Sequence, residues 1–460
     1  MSVLIKNGRI ITATDEYVAD IFIEGETIKT IGKNLSVTAD KTIDASGKLV
    51  FPGGIDPHVH LDMPFMGTYS SDNYETGTRA ALYGGTTMVI DFILQKQGNS
   101  LHAALAEWKG RSDNNCVGDY SFHMAVTDFN DDTKKEIKDF IEEEGITSFK
   151  TFMAYKGALM IDDRQMIGLM EEVKKHGGLI NVHATNGDMI DYLTQKHRNE
   201  GKLSPLYHYL SQPEITEAEA SERFVDMASY TGCPGYIVHL TCEGALNAVR
   251  NATKRNQKMF VETCIQYLIL DASLYEQNFE GAKWVMSPPL REKKDQQTLW
   301  AGINQGLVQV VATDHCPFKW EQKLMGKDDF SKIPNGHPAI ENRMELLFSE
   351  GVAKNKITLN KYVEVACTNP AKIFGMFPRK GTIAVGSDAD IVIFDAEEKH
   401  TLSAVTHHMN VDYSGYEGWE VTGKVKIVLL RGEVAINDNK CLVQKGFGKF
   451  IKRSKVENKI

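Results

Sequence analysis

Apolar residues between positions 52 and 378 recur in short runs that alternate with amphipathic stretches. Near-continuous apolar runs of this kind are typical of strands that are buried on both faces of a parallel sheet. Eight such runs occur. The first ends near His60, and the other seven cover 86–94, 120–126, 148–155, 179–185, 235–241, 258–264 and 308–315. The pattern therefore predicts eight parallel strands.

Helical segments separate most of these runs. Residues 162–178 are the clearest case, because Asp162 can cap the start of a helix and Gly177 can end it. Strands that alternate with helices in eight such units indicate an α/β protein with a (β/α)8 TIM-like barrel. A doubly wound open sheet is the alternative, but it would not bring the ends of distant strands to one point.

The two ends of the chain have a different rhythm. Alternating apolar and polar residues with Gly, Asn and Asp turn signals indicate antiparallel strands in the first fifty residues, in 381–397 and in 425–438. We predict that both termini pair into one small β-sandwich domain. The predicted boundaries are 1–51 and 379–440 for the small domain, 52–378 for the barrel and 441–460 for a basic tail. This tail is expected either to dock on a neighbouring subunit or to be loosely ordered.

Composition narrows the class of protein. The 460 residues are 42% hydrophobic and 25% charged with a net charge of -9, which is ordinary for a soluble globular protein. The negative balance argues against nucleic acid or an anionic membrane as the main partner. No apolar stretch has the length of a signal-peptide core or a membrane span. Seven cysteines without a C-x-x-C pair fit free thiols in a reducing compartment, so a cytoplasmic protein is expected.

Side chains that can bind a metal follow the ends of five apolar runs. His58 and His60 form a His-x-His pair, whose imidazoles share one side of a strand because side-chain direction repeats every two residues. A single strand-end histidine is more often a packed core residue than a ligand. Several ligand-type residues at the rim of one barrel predict a metal site instead. These residues are His58, His60, Lys150, His183, His239 and Asp314.

The motifs around these positions resemble those of the hydantoinase and dihydropyrimidinase family in the amidohydrolase superfamily. The similarity is carried by PGGIDPHVHLDMPF (52–65), GITSFKTFMAY (145–155), NVHATNGD (181–188), SPPLR (287–291) and ATDHCPF (312–318). It covers essentially the whole chain, and no ligand position departs from the family pattern. The resemblance implies a hydrolase that acts on C–N bonds in cyclic amides.

The same resemblance implies two divalent metal ions per subunit, with zinc as the first expectation and manganese or cobalt as alternatives. His58 and His60 would hold the buried ion together with Asp314. His183 and His239 would hold the second ion.

The resemblance also implies that Lys150 bridges the two ions as N6-carboxylysine. A protonated amine has no lone pair for a metal, whereas reaction with carbon dioxide gives a carbamate with a charge of about -1 that can bridge two cations. The two divalent ions carry a charge of +4, and the carbamate, Asp314 and a bridging hydroxide each contribute -1. The net charge of the site is therefore about +1. Such a site stabilises an anionic tetrahedral intermediate.

The implied mechanism is attack of a metal-bridging hydroxide on a ring amide carbonyl. Asp314 would accept the proton of the attacking water and pass it to the departing ring nitrogen, while Tyr155 would donate its hydroxyl to the developing oxyanion. Ser287 and Asn335 would bind the imide edge of the ring through their main chain. The apolar lining around the exocyclic substituent is expected to consist of Met63, Phe65, Phe152 and Leu159.

The expected substrate is a small neutral cyclic diamide, hydantoin or dihydrouracil, which would be opened to an N-carbamoyl amino acid. Dihydroorotases typically carry an arginine two residues after the His-x-His pair, where it binds the substrate carboxylate. This chain has Asp62 there, which we expect to repel a carboxylate. Dihydroorotase-type and allantoinase activity remain alternatives.

A function from another class is a non-catalytic scaffold. Collapsin response mediator proteins share the expected fold and have lost metal ligands, whereas all ligand positions are present here. The resemblance therefore favours an enzyme. It also implies a homo-oligomer, a dimer or a tetramer.

Overall fold

The computed structural model describes residues 1–455. The strands are β1 Ser2–Ile11, β2 Glu16–Glu24, β3 Thr27–Gly32, β4 Lys41–Asp44, β5 Leu49–Pro52, β6 Gly54–Val59, β7 Pro64–Phe65, β8 Thr68–Tyr69, β9 Thr86–Leu94, β10 Asp119–Ala125, β11 Ser148–Phe152, β12 Leu179–His183, β13 Gly235–Ile237, β14 Met259–Cys264, β15 Val310–Ala312, β16 Ile391–Thr401, β17 Glu420–Leu430, β18 Glu433–Asn437 and β19 Lys440–Cys441.

The α-helices are α1 Tyr74–Tyr83, α2 Leu101–Ser112, α3 Asp131–Asp139, α4 Asp163–His176, α5 Gly187–Asn199, α6 Leu206–Leu210, α7 Glu214–Thr231, α8 Glu243–Lys254, α9 Ile265–Ile269, α10 Lys293–Asn304, α11 Trp320–Lys323, α12 Arg343–Leu347, α13 Leu359–Val363 and α14 Asn369–Ile373. Short 3₁₀ helices cover Ala272–Glu276, Asn278–Trp284, Leu324–Gly326 and Phe330–Lys332, and short π-helices cover Phe140–Glu144, Phe348–Val352 and Glu364–Thr368. No helix of the described residues is long and apolar enough to cross a membrane.

Eight parallel strands form the barrel, in the order β6, β9, β10, β11, β12, β13, β14 and β15. A parallel bridge between Val59 and His315 joins the first strand to the segment that follows the last, so the sheet closes. Every residue of the eight strands is buried, as expected for strands packed on both faces. The predicted (β/α)8 barrel is confirmed, and the open-sheet alternative is wrong.

Two barrel strands are shorter than the apolar runs that predict them. β13 and β15 have three residues each, and the ligand-type residues His239 and Asp314 lie just beyond them. Their φ angles of 39° and 52° are in the left-handed region, which a strand cannot include. The chain therefore leaves the ladder where these side chains turn into the barrel mouth.

Both termini contribute to a second, nine-stranded sheet, as predicted. β16 pairs antiparallel with β5, which joins the two ends of the chain. The sequence predicts antiparallel strands throughout, but β4 and β5 pair with β1 in parallel. These parallel pairs link strands separated by long connections, and alternation alone cannot reveal them.

The small sheet is apolar on both faces. Val50, Ile391 and Ile393 belong to a core within the small domain. Their chain neighbours Phe51 and Val392 point the other way and join the core of the barrel. Because successive side chains of a strand point to opposite faces, one face of the sheet packs inside the small domain and the other packs against the barrel.

The tail, as far as residue 455, packs against its own barrel. The main-chain N–H of Ile451 donates to Tyr120 O at 2.7 Å. The buried Arg453 guanidinium donates to Ser121 Oγ at 3.0 Å and to Ser148 Oγ at 2.9 Å. Contact of the tail with a neighbouring subunit stays a prediction, and residues 456–460 lie outside the described chain.

A buried cluster of charges joins the small domain to the first residue of β10. Lys380 Nζ lies 2.8 Å from Asp119, 3.2 Å from Asp388 and 2.6 Å from Asp390. Arg431 also pairs with Asp119. We call these five residues the junction cluster. It lies at the N-terminal end of a barrel strand, opposite the rim that carries the predicted ligands.

Candidate metal centre

The six predicted ligands come together at the C-terminal rim of the barrel. They lie on or just after β6, β11, β12, β13 and β15, and all of them line one cavity. Parallel strands that close into a barrel bring their C-terminal ends to one face, so residues distant in sequence converge there.

His58 and His60 face the same carboxylate oxygen. The Nε2 atom of each ring lies 3.0 Å from Asp314 Oδ1. Glu262 Oε1 lies 2.5 Å from His58 Nδ1, so that nitrogen donates its proton to Glu262 and the Nε2 lone pair points at Asp314. A lone pair and a carboxylate at this distance require a proton or a metal ion between them.

The charges around His58 and Asp314 favour a cation between these residues. Burial opposes protonation of His58, but Asp314 and Glu262 outweigh it and raise the pKa of the imidazole to about 9. Burial likewise opposes ionisation of Asp314, yet His58 and His60 hold the pKa of its carboxyl well below the usual range. Ligand atoms of His58, His239 and Asp314 lie within 4.8 Å of one another, close enough for one ion.

His183 and His239 form the second pair of imidazoles. His183 Nδ1 lies 2.8 Å from His239 Nε2. Burial and the nearby cationic groups lower the pKa of both rings well below the ordinary value, so both are neutral. Neutral imidazoles are the form that binds divalent ions.

Lys150 lies among these groups and has no polar partner in the described part of the chain. Its side chain is buried, and the ammonium has no hydrogen bond or ion pair within residues 1–455. Nζ lies 4.9 and 5.3 Å from the centroids of the Phe92 and Phe152 rings. Burial lowers the pKa of Lys150 to about 7, although Asp314 opposes the shift. An unpaired buried amine beside four histidines fits a modified ligand better than a structural cation.

Two buried carboxylates hold the residues on either side of Asp314. Thr313 Oγ1 donates to Asp56 Oδ2 at 2.6 Å, and His315 Nε2 donates to Asp72 Oδ2 at 3.0 Å. A left-handed φ at a non-glycine residue costs free energy, and such strain persists only where the surroundings enforce it. These two bonds supply that constraint at Asp314.

The cavity above the ligands is a funnel. Its inner part has a volume of about 50 Å³ and contains the six ligands, and it opens into an outer part of about 510 Å³. The predicted substrate contacts all line the inner part; they are Met63, Phe65, Phe152, Tyr155, Leu159, Ser287 and Asn335. Leu94, Met286, Cys316 and Gly336 complete the lining.

Tyr155 points from a strained loop towards the two predicted main-chain contacts. Its φ is 62°, and its ring centroid lies 5.2 Å from that of His183. Burial raises the pKa of its hydroxyl, while the side chains of Ser287 and Asn335 partly offset the shift. The hydroxyl is therefore protonated at neutral pH and can donate a hydrogen bond.

The main-chain groups of Ser287 and Asn335 are unpaired. Asn335 Nδ2 donates to Ser287 Oγ at 3.1 Å, so the two side chains bind each other. Neither main-chain N–H nor C=O of the two residues has a hydrogen-bond partner within residues 1–455. Both residues are half-buried at the wall of the cavity, so these four groups are available to a ligand.

Two residues differ from what the sequence indicates. Glu262 was not predicted, although it binds His58 and also accepts a bond from Tyr236 Oη at 2.8 Å. Asp62 lines a separate surface pocket beside Arg111 rather than the funnel, and its effect on a carboxylate ligand stays a prediction. No arginine lines the funnel in the described residues, which still argues against a carboxylate ligand.

Comparison with known proteins extends this picture. The pattern of the amidohydrolase family matches residues 49–435. A D-hydantoinase of Geobacillus stearothermophilus is 48% identical over 457 residues, which cover 99% of this chain and 97% of that protein. A dihydropyrimidinase of Rattus norvegicus is 40% identical over 458 residues, covering 98% and 88%. The crystal structure of dihydropyrimidinase from Brevibacillus agri NCHU1002 matches with a TM-score of 0.99 at 48% identity, covering 100% of both chains.

Proposed function

Because the chain belongs to the amidohydrolase family and, within it, to the group of D-hydantoinases and dihydropyrimidinases, we propose that it opens hydantoin and dihydropyrimidine rings to N-carbamoyl amino acids. It is a hydrolase of cyclic amides. The observation that carries the proposal is the convergence of the six ligand-type residues with Tyr155, Ser287 and Asn335 around one cavity.

We propose that His58, His60 and Asp314 hold one divalent ion and that His183 and His239 hold a second. The unpaired Lys150 lies between the two sets, and as a carbamate formed with carbon dioxide it would bridge them. Two such ions acidify a shared water and polarise an amide carbonyl. Zinc is the first expectation because the ligand set is rich in imidazole, and manganese or cobalt are alternatives.

The residues of the chain move the protons. Asp314 is ionised, so it takes a proton from the attacking water and hands it to the ring nitrogen as the C–N bond breaks. Tyr155 donates its hydroxyl hydrogen to the oxygen on which negative charge develops. Ser287 and Asn335 hold the imide edge of the ring with their unpaired main-chain groups.

The wall of the funnel selects the substrate. Met63, Phe65, Phe152 and Leu159 surround the exocyclic substituent with apolar surface, which favours hydrophobic groups. Because no arginine of the described residues lines the inner part of the funnel, a substrate carboxylate there would lack a bidentate partner. A neutral diamide is therefore preferred to dihydroorotate, and the apolar wall fits the ureido group of allantoin poorly.

A panel of four rings tests the proposal. Dihydrouracil, 5-phenylhydantoin, allantoin and dihydroorotate are incubated with the metal-loaded enzyme, and the configuration of each product is determined. We expect kcat/KM to be highest for one of the first two. A preference for dihydroorotate, or hydrolysis of none of the four, would contradict the proposal.

The modification of Lys150 has a separate test. Native mass spectrometry should show an additional mass of about 44 Da on the metal-loaded protein, which is lost in Lys150→Ala together with one or both metal ions. Lys134→Ala is the control, because this exposed lysine pairs with Glu172 and does not line the cavity. A Lys150→Ala enzyme with both ions and full activity would refute the assignment.

Assembly and compartment remain predictions. We propose a homo-oligomer, a dimer or a tetramer, in the cytoplasm. Light scattering of the purified chain would decide the first point, because a monomer at micromolar concentration contradicts it.

A further inference from the structure

Among the described residues, the buried cation Lys323 has no carboxylate partner. Its side chain lies in α11 and is fully buried. Nζ donates to the carbonyl oxygens of Val285 at 3.0 Å, Pro334 at 2.7 Å and Gly336 at 2.9 Å. No ion pair to this ammonium occurs within residues 1–455. Three donors meet three acceptors, so all of its hydrogen-bonding capacity is used.

The three carbonyl groups belong to the two loops that carry Ser287 and Asn335. Val285 stands two residues before Ser287, and Pro334 and Gly336 flank Asn335. The loops also touch directly, because Gly336 N–H donates to Val285 O at 2.9 Å. A single ammonium therefore ties both loops together at their main chain.

Anchoring these carbonyls orients the groups that face the funnel. In a trans peptide the C=O and the next N–H point in opposite directions. Pro334 C=O is bound by Lys323, so the N–H of Asn335 points away from Lys323. Gly336 N–H is bound by Val285, so the C=O of Asn335 also points away from the anchored side. These are the two main-chain groups of Asn335 that have no partner in the described chain.

The Ser287 loop is held by a neighbouring contact as well. His208 Nε2 donates to Met286 O at 2.8 Å, which by the same geometry directs the Ser287 N–H away from His208. Gln212 Nε2 donates to Ser287 Oγ at 3.2 Å. Both contacts act on one loop only, whereas Lys323 binds the main chain of both.

Packing explains why the cation must sit here. A Cβ at Gly336 would lie 2.0 Å from Cys316 O, so this loop presses on the chain two residues beyond Asp314. Three carbonyls that converge in such a closed space have no access to water, and only a small group with three donors satisfies all of them. Burial lowers the pKa of Lys323 to about 7.

We propose that Lys323 is a positioning residue that sets the spacing and orientation of the main-chain groups of Ser287 and Asn335, and so determines selectivity for the ring's imide edge. The proposal rests on the proposed function, because it assumes that a ring with this edge is the substrate. Lys323 does not itself touch the substrate.

The test compares dihydrouracil with its N3-methyl analogue, which lacks the imide N–H. A site whose hydrogen-bonding groups are fixed rejects a substrate that leaves them unpaired. In Lys323→Met the loops lose their common anchor, so the ratio of kcat/KM for the two rings should fall by about 10-fold or more. We expect this through a higher KM for dihydrouracil, with two metal ions still bound.

Two further variants complete the design. Lys323→Gln keeps two donors and should show an intermediate ratio, and it decides the question if Lys323→Met is insoluble. Lys327→Met makes the same change at an exposed position four residues away and should behave as wild type. A merely structural role would lower kcat for both rings equally, so soluble, metal-loaded Lys323 variants with the wild-type ratio overturn the inference. Wild-type enzyme that opens neither ring would instead contradict the proposed function.

Discussion

Two clusters of buried ligand-type side chains lie at opposite ends of the barrel. The rim holds His58, His239 and Asp314, and the junction cluster holds Asp119, Asp388 and Asp390. In each group the ligand atoms lie within 4.8 Å of one another. Judged by residue type and spacing alone, either could bind a metal ion.

The two clusters differ in how their charge is compensated. Lys380 contacts all three acids of the junction cluster, Arg431 pairs with Asp119, and Arg379 lies 3.0 Å from Asp388. Three cations therefore face three carboxylates. At the rim Lys150, the buried lysine among the ligand-type residues, has no hydrogen-bond partner among the described residues, and two imidazole nitrogens point at one carboxylate oxygen. This unmet demand for positive charge distinguishes the proposed metal site from the structural cluster.

Metal removal should produce the largest contrast between the two ends. A chelator that strips the rim should lower activity by at least about 1000-fold, because the attacking water is no longer acidified. Activity should return with added zinc, manganese or cobalt. Atomic emission measurements should find the same metal content in wild type and in Asp388→Asn, and a loss of metal in Asp388→Asn would contradict the assignment of the junction cluster.

Asp314→Asn sharpens the role of the rim. The amide preserves the shape of the side chain but cannot carry the proton, so kcat should fall by about 100- to 10,000-fold while most of the metal remains. Stopped assays with metal analysis on the same sample would check this result. Near-normal turnover would exclude Asp314 as the proton carrier.

Lys380→Met tests the junction cluster. Removing one partner of a buried charge network leaves carboxylates uncompensated, and we expect the free energy of unfolding to drop by about 3–5 kcal/mol. Metal content should stay at the wild-type value. Lys33→Met, an exposed change in the same small domain, should leave stability unchanged in urea titrations.

The smallest of these effects should be the pH dependence of the free energy of unfolding of Lys380→Met. Burial opposes ionisation of Asp119, but Lys380 and Arg431 outweigh it and lower its pKa from the ordinary 3.8. Without Lys380 this pKa rises, so the folded variant binds more protons than the folded wild type and gains stability relative to it as the pH falls. The destabilisation by Lys380→Met should therefore shrink by about 1–2 kcal/mol between pH 8 and pH 5. A pH-independent destabilisation would contradict the ion-pair assignment.

Much of the fold could be predicted because it is encoded in short-range periodicity. The eight barrel strands appear as apolar runs, and their closure into a barrel places His58, His183 and Asp314 at one rim without further information. The parallel pairing of β1 with β4 could not be predicted, because no local pattern records which distant strand becomes the neighbour.

The supporting residues of the site were harder to identify for the same reason. Glu262 is a single acid in an apolar run, and its partner His58 is 204 residues away. Lys323 lies in a short polar segment whose sequence is typical of a surface helix, and its burial depends on two loops that meet only in the folded chain. Asp62 was assigned to the cavity from its position after the His-x-His pair, but its left-handed φ of 52° turns it towards Arg111.

The unpaired main-chain groups of Ser287 and Asn335 have a consequence for enzyme engineering. Every amino acid except proline carries the same peptide N–H and C=O, so replacing either side chain would leave the proposed ring contacts in place. Saturation mutagenesis at the two positions should therefore yield many active clones with little change in ring preference. Redesign for a different heterocycle would have to alter the length of the loops themselves, by insertion or deletion.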